Sequence, residues 1–381
     1  MSALVTDADL DRCYTVARSL ARSGIRVTVA GEEKHKNVAF YSKYCHDRIL
    51  YPSPDKHNEF IKCMLRAVVG HDVLIPLHER TIVPLSRNMD QFENTAKIPI
   101  PEYKRLCIAL DKGKTIELAH RLGIPTPSTY LINDLKELSS LSKRIRYPVV
   151  IKLRREKDTP PPRYIYVFSP KSLLREYQSM HRKCRYPLIQ ELIPGSGYGF
   201  FSLLNKDSKP LAVFCHRRIR EYPITGGVST YCESIYEPRI IDYGLKILKE
   251  IKWHGVAMVE FRKDFRDGEF KLMEVNPRFW GSLPLAIASG VDFPYLLFRM
   301  AIGKGIAISK YRIGVRCRFL RKDLLALKQA LEGTGEKTRY LKAFLSSFLD
   351  KNLAREVSSE DLKLAGYRLL NAIRDKLPSS L

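Results

Sequence analysis

The sequence predicts an α/β protein whose strands and helices alternate along the chain and form a parallel sheet near the N-terminus. Three segments carry this prediction: the short apolar strand Ala3–Thr6, the helical pattern of Asp11–Ser23 and the β-branched strand Ile25–Ala30. A strand–helix–strand order of this kind gives a right-handed crossover between parallel strands. The first turn, Thr6–Leu10, contains no glycine, so the sequence lacks the glycine-rich fingerprint of dinucleotide-binding domains.

The remaining elements follow from apolar periodicity and from the positions of turn residues. In chain order they are a helix over Phe60–Val69, a strand over Asp72–Pro76, a helix from Lys112 to the stop signal Gly123, strands over Tyr147–Lys152 and Leu188–Ile193, hairpins over Phe200–His216 and Gly255–Asn276, and a helix over Phe293–Ile302. The chain is long enough for two or three domains.

The composition is that of a globular protein with a large excess of positive charge. The 381 residues include 65 Lys and Arg against 41 Asp and Glu, which gives a formal net charge of +24. This balance favours anionic ligands, whether nucleotides, acidic substrates, nucleic acid or an anionic membrane surface, and it does not choose among them. From Lys310 to the end the sequence is basic and amphipathic. This segment is either a solvated helical cap or a surface for an anionic partner.

None of the eight cysteines is placed for a disulfide framework or a zinc site, because no two have a C-x-x-C spacing. The N-terminus has no signal-peptide pattern, and no apolar run reaches the length of a membrane span. We therefore expect a cytoplasmic protein. The sequence contains no clear nucleic-acid or membrane motif.

The strongest chemical signal lies in the predicted hairpin Gly255–Asn276. If its turn centres on Asp267, Glu260 and Glu274 are equally distant from the centre and face each other on one side of the sheet. Asn276 lies two residues beyond Glu274 and points the same way. Two carboxylates and an amide oxygen suit Mg²⁺ or Mn²⁺, with nucleotide phosphates completing the coordination. The alternative is a solvated hairpin with exposed acids. A slip of the register by one residue would lead to this alternative.

Four motifs, in this order, resemble the ATP-grasp superfamily, as represented by biotin carboxylase and the large subunit of carbamoyl-phosphate synthase. They are Asp111-Lys112 followed by a helix and Leu-Gly-Ile-Pro-Thr-Pro, Tyr147-Pro-Val-Val-Ile-Lys152, Gln190-Glu-Leu-Ile193 and Glu274-Val-Asn-Pro-Arg278. The resemblance covers residues 1–305. It implies an α+β ATP-grasp core, with residues 1–105 as the pre-ATP-grasp domain and 106–305 as a two-lobed domain that binds nucleotide and metal. Beyond it, the basic and amphipathic composition predicts a helical segment over 306–381. A homodimer is implied only by the resemblance.

The resemblance also implies a role for each matching residue. Lys112 and Lys152 would contact the phosphates of ATP, and Gln190, Glu191, Leu192 and Ile193 would border its adenine. Glu260, Glu274 and Asn276 would hold Mg²⁺ or Mn²⁺, and Arg278 would be the catalytic residue that steadies the transferring phosphoryl group.

The activity implied is that of an ATP- and Mg-dependent carboxylate–amine ligase, which activates a carboxylate as an acyl phosphate for attack by an amine or a similar nucleophile. Two alternatives remain open. One is an ATP-grasp kinase that stops at phosphoryl transfer, and the other is a non-catalytic protein that binds a nucleotide or nucleic acid.

The resemblance implies that the region between the third and fourth motifs borders the acceptor site, and this region carries a basic cluster. It comprises Arg217, Arg218, Arg220, Gly226, Gly227 and Ser229. Arginines and the backbone amides of a glycine turn bind carboxylates, so we expect an acidic substrate. The alternative is a basic surface strand beside an ordinary turn. The segment 153–163 contains no glycine, and whether it acts as the usual phosphate flap is left open.

Overall fold

The structure of the chain, a computed structural model, describes residues 1–155, 163–306, 310–333, 335, 337–354 and 361–367. Within these ranges the strands form three sheets, one parallel and two antiparallel. The predicted α/β class is therefore confirmed. None of the helices in the described ranges is long and apolar enough to cross a membrane.

The first 100 residues form the parallel sheet and its helices. Its strands are β1 (Ser2–Val5), β2 (Arg26–Glu32), β3 (Asp47–Tyr51) and β4 (Val73–Ile75), arranged in the order β3-β2-β1-β4. The helices are α1 (Asp11–Arg22), α2 (His57–Ala67) and α3 (Glu79–Arg87). The sequence did not predict β3, because this edge strand exposes most of its residues and shows no apolar alternation.

A small antiparallel sheet follows. After α4 (Tyr103–Leu110) and α5 (Lys112–Arg121), the chain forms β5 (Thr129–Tyr130), α6 (Glu137–Arg144), β6 (Val149–Lys152), β7 (Tyr164–Val167), α7 (Pro170–Lys183) and β8 (Leu188–Glu191). The strand order is β5-β8-β6-β7. Helix α7 packs Leu173 and Tyr177 against Ile151 and Ile189 of the sheet, so this layer has a core of its own.

The third sheet has six antiparallel strands in the order β13-β12-β9-β10-β11-β14. Its strands are β9 (Gly195–Leu204), β10 (Pro210–Tyr222), β11 (Val228–Ile235), β12 (Gly255–Asp264), β13 (Phe270–Asn276) and β14 (Arg316–Arg318). The helices of this part of the chain are α8 (Pro238–Glu250), α9 (Leu283–Ser289), α10 (Phe293–Ala301), α11 (Leu320–Gly333) and α12 (Lys337–Ser346).

The six-stranded sheet and the N-terminal domain are packed into shared cores. Phe200 of β9 is buried in one cluster with Leu4 of the parallel sheet, and its neighbour Phe201 is buried in a second cluster with Val5. Because successive residues of a strand point to opposite faces, both faces of the six-stranded sheet carry a core. This burial holds the carboxyl edge of the parallel sheet beside β13.

The hairpin β12–β13 contains a bulge that the sequence did not predict. Next to the turn, Phe261 pairs with Leu272, whereas beyond the bulge Glu260 pairs with Glu274. Met273 is the extra residue on β13, and it shifts the register by one. The predicted pairing of Glu260 with Glu274 is thus right, but the turn is not centred on Asp267 as assumed.

The basic C-terminal segment contains the predicted helices, α11 and α12, and also β14, which adds a sixth strand to the sheet. Asp323 of α11 is fully buried and accepts from Arg220 of β10 through both carboxylate oxygens, at 2.8 and 2.6 Å. Thr230 donates to the same carboxylate at 2.8 Å. This part of the chain is therefore anchored to the sheet, while the domain limits at residues 105 and 305 remain a prediction.

We expect Asp323→Ala to lower the free energy of unfolding by about 3–5 kcal/mol, because it leaves the Arg220 guanidinium buried without its partner. Urea unfolding measures this loss. Glu59→Ala is the control, since Glu59 forms an exposed pair with Lys56 and its removal costs about 1 kcal/mol or less. Equal losses for the two variants would contradict the prediction.

Candidate functional site

A cleft of about 410 Å³ opens between the four-stranded antiparallel sheet and the six-stranded sheet. Its walls come from β6, β7 and β8 on one side and from β10, β12 and β13 on the other. Twelve of the sixteen predicted site residues line it: Lys112, Lys152, Glu191, Leu192, Ile193, Arg218, Gly226, Gly227, Glu260, Glu274, Asn276 and Arg278. The structure therefore collects residues that are up to 166 positions apart in the sequence.

Two carboxylates lie at the centre of the cleft wall. Glu274 accepts from Lys112 Nζ at 3.0 Å and from Asn276 Nδ2 at 2.9 Å. Burial raises the pKa of Glu274, but Lys112, Asn276 and Lys152 outweigh burial and bring the pKa to about 2. Burial raises the pKa of its neighbour Glu260, and the negative charge of Glu274 adds to this effect.

Lys112 reaches Glu274 because it is the first residue of α5. Asp111 caps this helix, and its Oδ1 accepts from the backbone amides of Gly113 and Lys114 at 3.0 and 3.2 Å. Helix α5 packs on β13, which places its N-terminus against the carboxylates. The Asp-Lys pair is thus one structural unit, with an aspartate that builds the helix start and a lysine that enters the cleft.

Lys152 stands at the end of β6 and is held by Gln190. Its Nζ donates to Gln190 Oε1 at 2.8 Å, and Gln190 Nε2 donates to Thr129 Oγ1 at 3.0 Å. Burial lowers the pKa of Lys152 to about 8. The side chain of Gln190 is buried, contacts Lys152 and does not line the cleft, and a place beside the adenine remains a prediction.

The segment after β8 is tied to the hairpin β12–β13. Glu191 accepts from the Ser128 amide at 3.2 Å and from Arg266 at 2.6 Å. Arg262 donates through Nε to the carbonyl of Ile193 at 3.0 Å. These contacts fix the position of the two sheets relative to each other along one edge of the cleft.

Arg218 is the member of the basic strand that enters the cleft. Its guanidinium contacts both carboxylate oxygens of Glu260, at 2.7 and 3.1 Å. It also donates to the carbonyl of Gly227 at 2.8 Å. Glu260 raises the pKa of Arg218 despite burial, which acts to lower it. Arg218 therefore remains charged while it joins the carboxylate to the glycine turn.

Arg217 and Arg220 do not line this cleft, and a substrate role for them remains a prediction. Arg217 follows the alternation of β10 to the opposite face of the sheet, where its Nε donates to Glu233 at 2.6 Å. Arg220 is on that face too, paired with Asp323. The sequence grouped three arginines, but alternation turns Arg217 away from Arg218, and a bulge between Arg218 and Arg220 turns Arg220 away as well.

The glycine turn between β10 and β11 borders the cleft and requires its glycines. Gly226 has φ +129°, and a Cβ on Gly227 would lie 2.2 Å from the carbonyl oxygen of Tyr222. The carbonyl of Thr225 accepts from Tyr166 on β7 at 3.3 Å. Ser229, which was also predicted here, pairs in the β10–β11 ladder and does not line the cleft.

Arg278, just after β13, is held by a residue of the N-terminal domain. Its Nε donates to Glu79 Oε1 at 2.6 Å, and its Nη1 donates to the carbonyl of Phe279 at 3.3 Å. Glu79 begins α3, immediately beyond the carboxyl end of β4. The sequence alone places Asp7 and the pair His78–Glu79 at strand ends of the first domain, where ligands of open α/β sheets bind, and a substrate role for them remains a prediction.

Several other lining residues were not predicted. They are Val150, Leu153, Arg163, Tyr164, Tyr166, Tyr222, Pro223, Thr225, Val228, Phe261, Arg262 and Met273. Alternation identifies Arg262, because it lies two residues beyond Glu260 on the same strand face.

Of the segment 153–163, residues 156–162 lie outside the described residues, so the open question about the flap falls there. At its ends the Leu153 amide donates to the Arg163 carbonyl at 3.3 Å.

The donor set in the cleft comprises two carboxylates and one amide oxygen. Across the described residues, no three His, Cys, Asp or Glu side chains form a cluster that could hold a metal ion. Glu260, Glu274 and Asn276 nevertheless fit a hard cation that takes its remaining ligands from phosphate oxygens and water, as Mg²⁺ does.

Comparison with known proteins identifies this architecture. The family model described as ATP-grasp in the biosynthetic pathway with Ter operon matches residues 206–322. The carbamoyl phosphate synthase large chain of Methanosphaerula palustris is 22% identical over 201 residues, which is 51% of this chain and 19% of that protein. The chain thus matches about a fifth of the length of this curated relative.

Solved structures agree over most of the chain. Biotin carboxylase from Campylobacter jejuni, in complex with beta-gamma-ATP, has a TM-score of 0.66 at 17% identity, covering 83% of this chain and 74% of that one. The chain has the ATP-grasp fold. An L-amino acid ligase from Bacillus licheniformis has a TM-score of 0.60 at 15% identity, covering 79% and 74%. The resemblance seen in four short motifs is confirmed.

In this ATP-grasp fold, Lys152 is expected to lose its proton as the pH rises through about 8, because burial disfavours its charged form. NMR of ¹³C-labelled lysine side chains measures this titration, and Lys152→Arg assigns the resonance. In urea, where burial is lost, the same group should titrate near the usual 10.5. A titration near 10.5 in the folded protein would contradict the prediction.

Proposed function

We propose that the chain is an ATP- and Mg²⁺-dependent ligase that activates a carboxylate as an acyl phosphate for attack by an amine or a similar nucleophile. The observation that carries this proposal is the convergence of Lys112, Lys152, Glu260, Glu274 and Arg278 in one cleft. The likeness to a carboxylase, an amino acid ligase and carbamoyl phosphate synthase supports the same reaction class.

Glu260, Glu274 and Asn276 are the residues that would hold Mg²⁺ or Mn²⁺. Their oxygens are hard donors on neighbouring strands, and both glutamates already attract positive charge, from Arg218 and Lys112. When bound, the metal would neutralise phosphate oxygens and lower the barrier to phosphoryl transfer. Two carboxylates leave room in the coordination shell for those oxygens.

The lysines and the segment after β8 would hold the nucleotide. Lys112 and Lys152 approach the carboxylates from α5 and β6, so their ammonium groups lie where phosphates would meet the metal. Glu191, Leu192 and Ile193 line the other part of the cleft and would border the adenine. Gln190 would act indirectly, by orienting Lys152 through their 2.8 Å hydrogen bond.

The reaction needs positioned charge rather than a strong base. A carboxylate oxygen of the substrate attacks the γ-phosphorus of ATP, and ADP leaves with the electrons of the broken P–O bond. The amine then attacks the acyl carbon, and inorganic phosphate leaves with the C–O electrons, while the amine loses a proton to solvent. Arg278 would balance the charge on the transferring phosphoryl group.

The acceptor is proposed to be acidic and to bind near Arg218. This guanidinium lies between Glu260 and the turn Gly226–Gly227, whose glycines allow a close approach of the backbone. A carboxylate bound there would be close to the metal ligands. The acceptor is predicted to be an amino acid, a dicarboxylate or a phosphorylated metabolite. The cytoplasmic location of the protein and its assembly as a homodimer also remain predictions.

The first experiment measures ADP release with Mg-ATP across a panel of amino acids and dicarboxylates. Glu274→Gln should lower acceptor-dependent release by about 100-fold or more, because loss of a metal ligand removes several kcal/mol of charge stabilisation. Glu237→Gln is the matched control, since Glu237 has the same 24% side-chain exposure and lies outside the cleft.

Two further readouts make this experiment specific. Mn²⁺ binding in the presence of ADP, followed by electron paramagnetic resonance, should weaken in Glu274→Gln and not in the control. Mass spectrometry of the products separates a ligase, which yields the joined amide, from a kinase, which stops at the phosphorylated acceptor. Absence of acceptor-dependent ADP release in the wild type across the panel would contradict the proposal.

A second experiment compares adjacent arginines of β10. Arg218→Ala should raise the KM for the acceptor by roughly 10- to 100-fold, the effect of losing a hydrogen-bonded charge. Arg217→Ala should leave it unchanged, because this side chain lies on the opposite face of the sheet. An equal rise in the KM for ATP would contradict the assignment, since Arg218 would then act through Glu260.

A further inference from the structure

Arg278 is the point at which the cleft meets the N-terminal domain. Its guanidinium lines the cleft beside Asn276 and Glu274, yet its shortest contact is with Glu79, at 2.6 Å between Nε and Oε1. Both side chains are mostly buried, at 18% and 16% exposure. A contact of this length between a guanidinium and a carboxylate is a charge-assisted hydrogen bond, among the stronger ones in proteins.

Glu79 is presented by a loop that is itself rigidly built. Asp7, at the end of β1, is fully buried and takes φ +62°. Its Oδ2 accepts from the amides of Leu77 and His78 at 3.0 and 3.1 Å, and from Thr81 Oγ1 at 2.8 Å. The buried carboxylate thus organises the connection from β4 to α3, and the first residue of that helix is Glu79.

The carboxyl group of Glu79 is ionised at neutral pH. Burial raises its pKa, but the positive charges of Arg278 and Arg12 outweigh burial and bring the pKa to about 2. The partner on its other oxygen, His78 Nε2, lies at 3.5 Å. Glu79 is therefore an anion at neutral pH, and it faces Arg278, which follows β13.

We propose that Glu79 is a positioning residue, which orients Arg278 toward the transferring phosphoryl group, so that the N-terminal domain takes part in the reaction. The proposal rests on the function proposed above. A planar guanidinium held at Nε by Glu79 and at Nη1 by the Phe279 carbonyl has little rotational freedom. Groups that fix a catalytic side chain from behind are worth about 10- to 100-fold where they orient metal ligands, and we expect a similar effect here.

The test replaces Glu79 by Gln, which keeps its size, and by Asp, which keeps its charge. Glu79→Gln should lower kcat about 10- to 100-fold, with the KM for ATP unchanged within about twofold. Glu79→Asp should retain more activity than Glu79→Gln. Glu233→Gln is the matched control, because Glu233 is also buried between arginines, Arg217 and Arg316, on the far face of the sheet.

A second readout does not need the natural acceptor. MgADP with aluminium fluoride imitates a phosphoryl group in transfer, and calorimetry measures its binding beside that of MgADP alone. Glu79→Gln should weaken binding of the fluoride complex about tenfold or more and leave binding of MgADP unchanged. A residue that merely stabilised the fold would affect both probes, and thermal unfolding of each variant reports that effect.

The two levels of the proposal fail differently. If wild-type protein binds the fluoride complex no more tightly than MgADP and releases no ADP with any acceptor, the proposed function is wrong and the role of Glu79 falls with it. If wild-type protein passes both tests but Glu79→Gln behaves like Glu233→Gln, the function stands and the positioning role is overturned.

Discussion

The site depends on one extra residue in a strand. Between the turn and the bulge, the register of β12 and β13 would place Glu274 opposite Val259, on the face away from Glu260. Met273 inserts one residue, and from there outward Glu274 faces Glu260. Because side chains alternate with a period of two, a shift of one residue exchanges the two faces of a strand. The bulge therefore brings both carboxylates, and Asn276 with them, to the wall of the cleft.

Two facing carboxylates must be compensated, and the surrounding elements supply the charge. Lys112 comes from the N-terminus of α5 and contacts Glu274, whereas Arg218 comes from β10 and contacts Glu260. Arg278 is a third positive charge beside these carboxylates, and it is held by Glu79 of the N-terminal domain. Each part of the chain that meets at the cleft thus contributes one charged partner. The arrangement explains why the motifs are separated in sequence but close together in space.

Local patterns predicted much of this protein, and long-range contacts account for what they missed. Periodicity identified α1, β2 and the hairpin β12–β13, and four motifs identified the fold. The pairing of Glu260 with Glu274 was predicted from a turn centred on Asp267. Next to the turn the strands are centred between Arg266 and Asp267, and the bulge, which the sequence did not predict, restores the predicted pairing. No local pattern links Glu79 to Arg278, because 199 residues separate them and only the packing of two domains joins them.

The strand β10 shows how one basic sequence serves two purposes. Arg218 points into the cleft, while Arg217 and Arg220 point to the other face, where they pair with Glu233 and Asp323. Asp323 belongs to α11, so the same strand that carries a residue of the candidate site also anchors the C-terminal segment. The bulge between Arg218 and Arg220 therefore puts the residue of the candidate site on one face of β10 and the anchor of the C-terminal segment on the other.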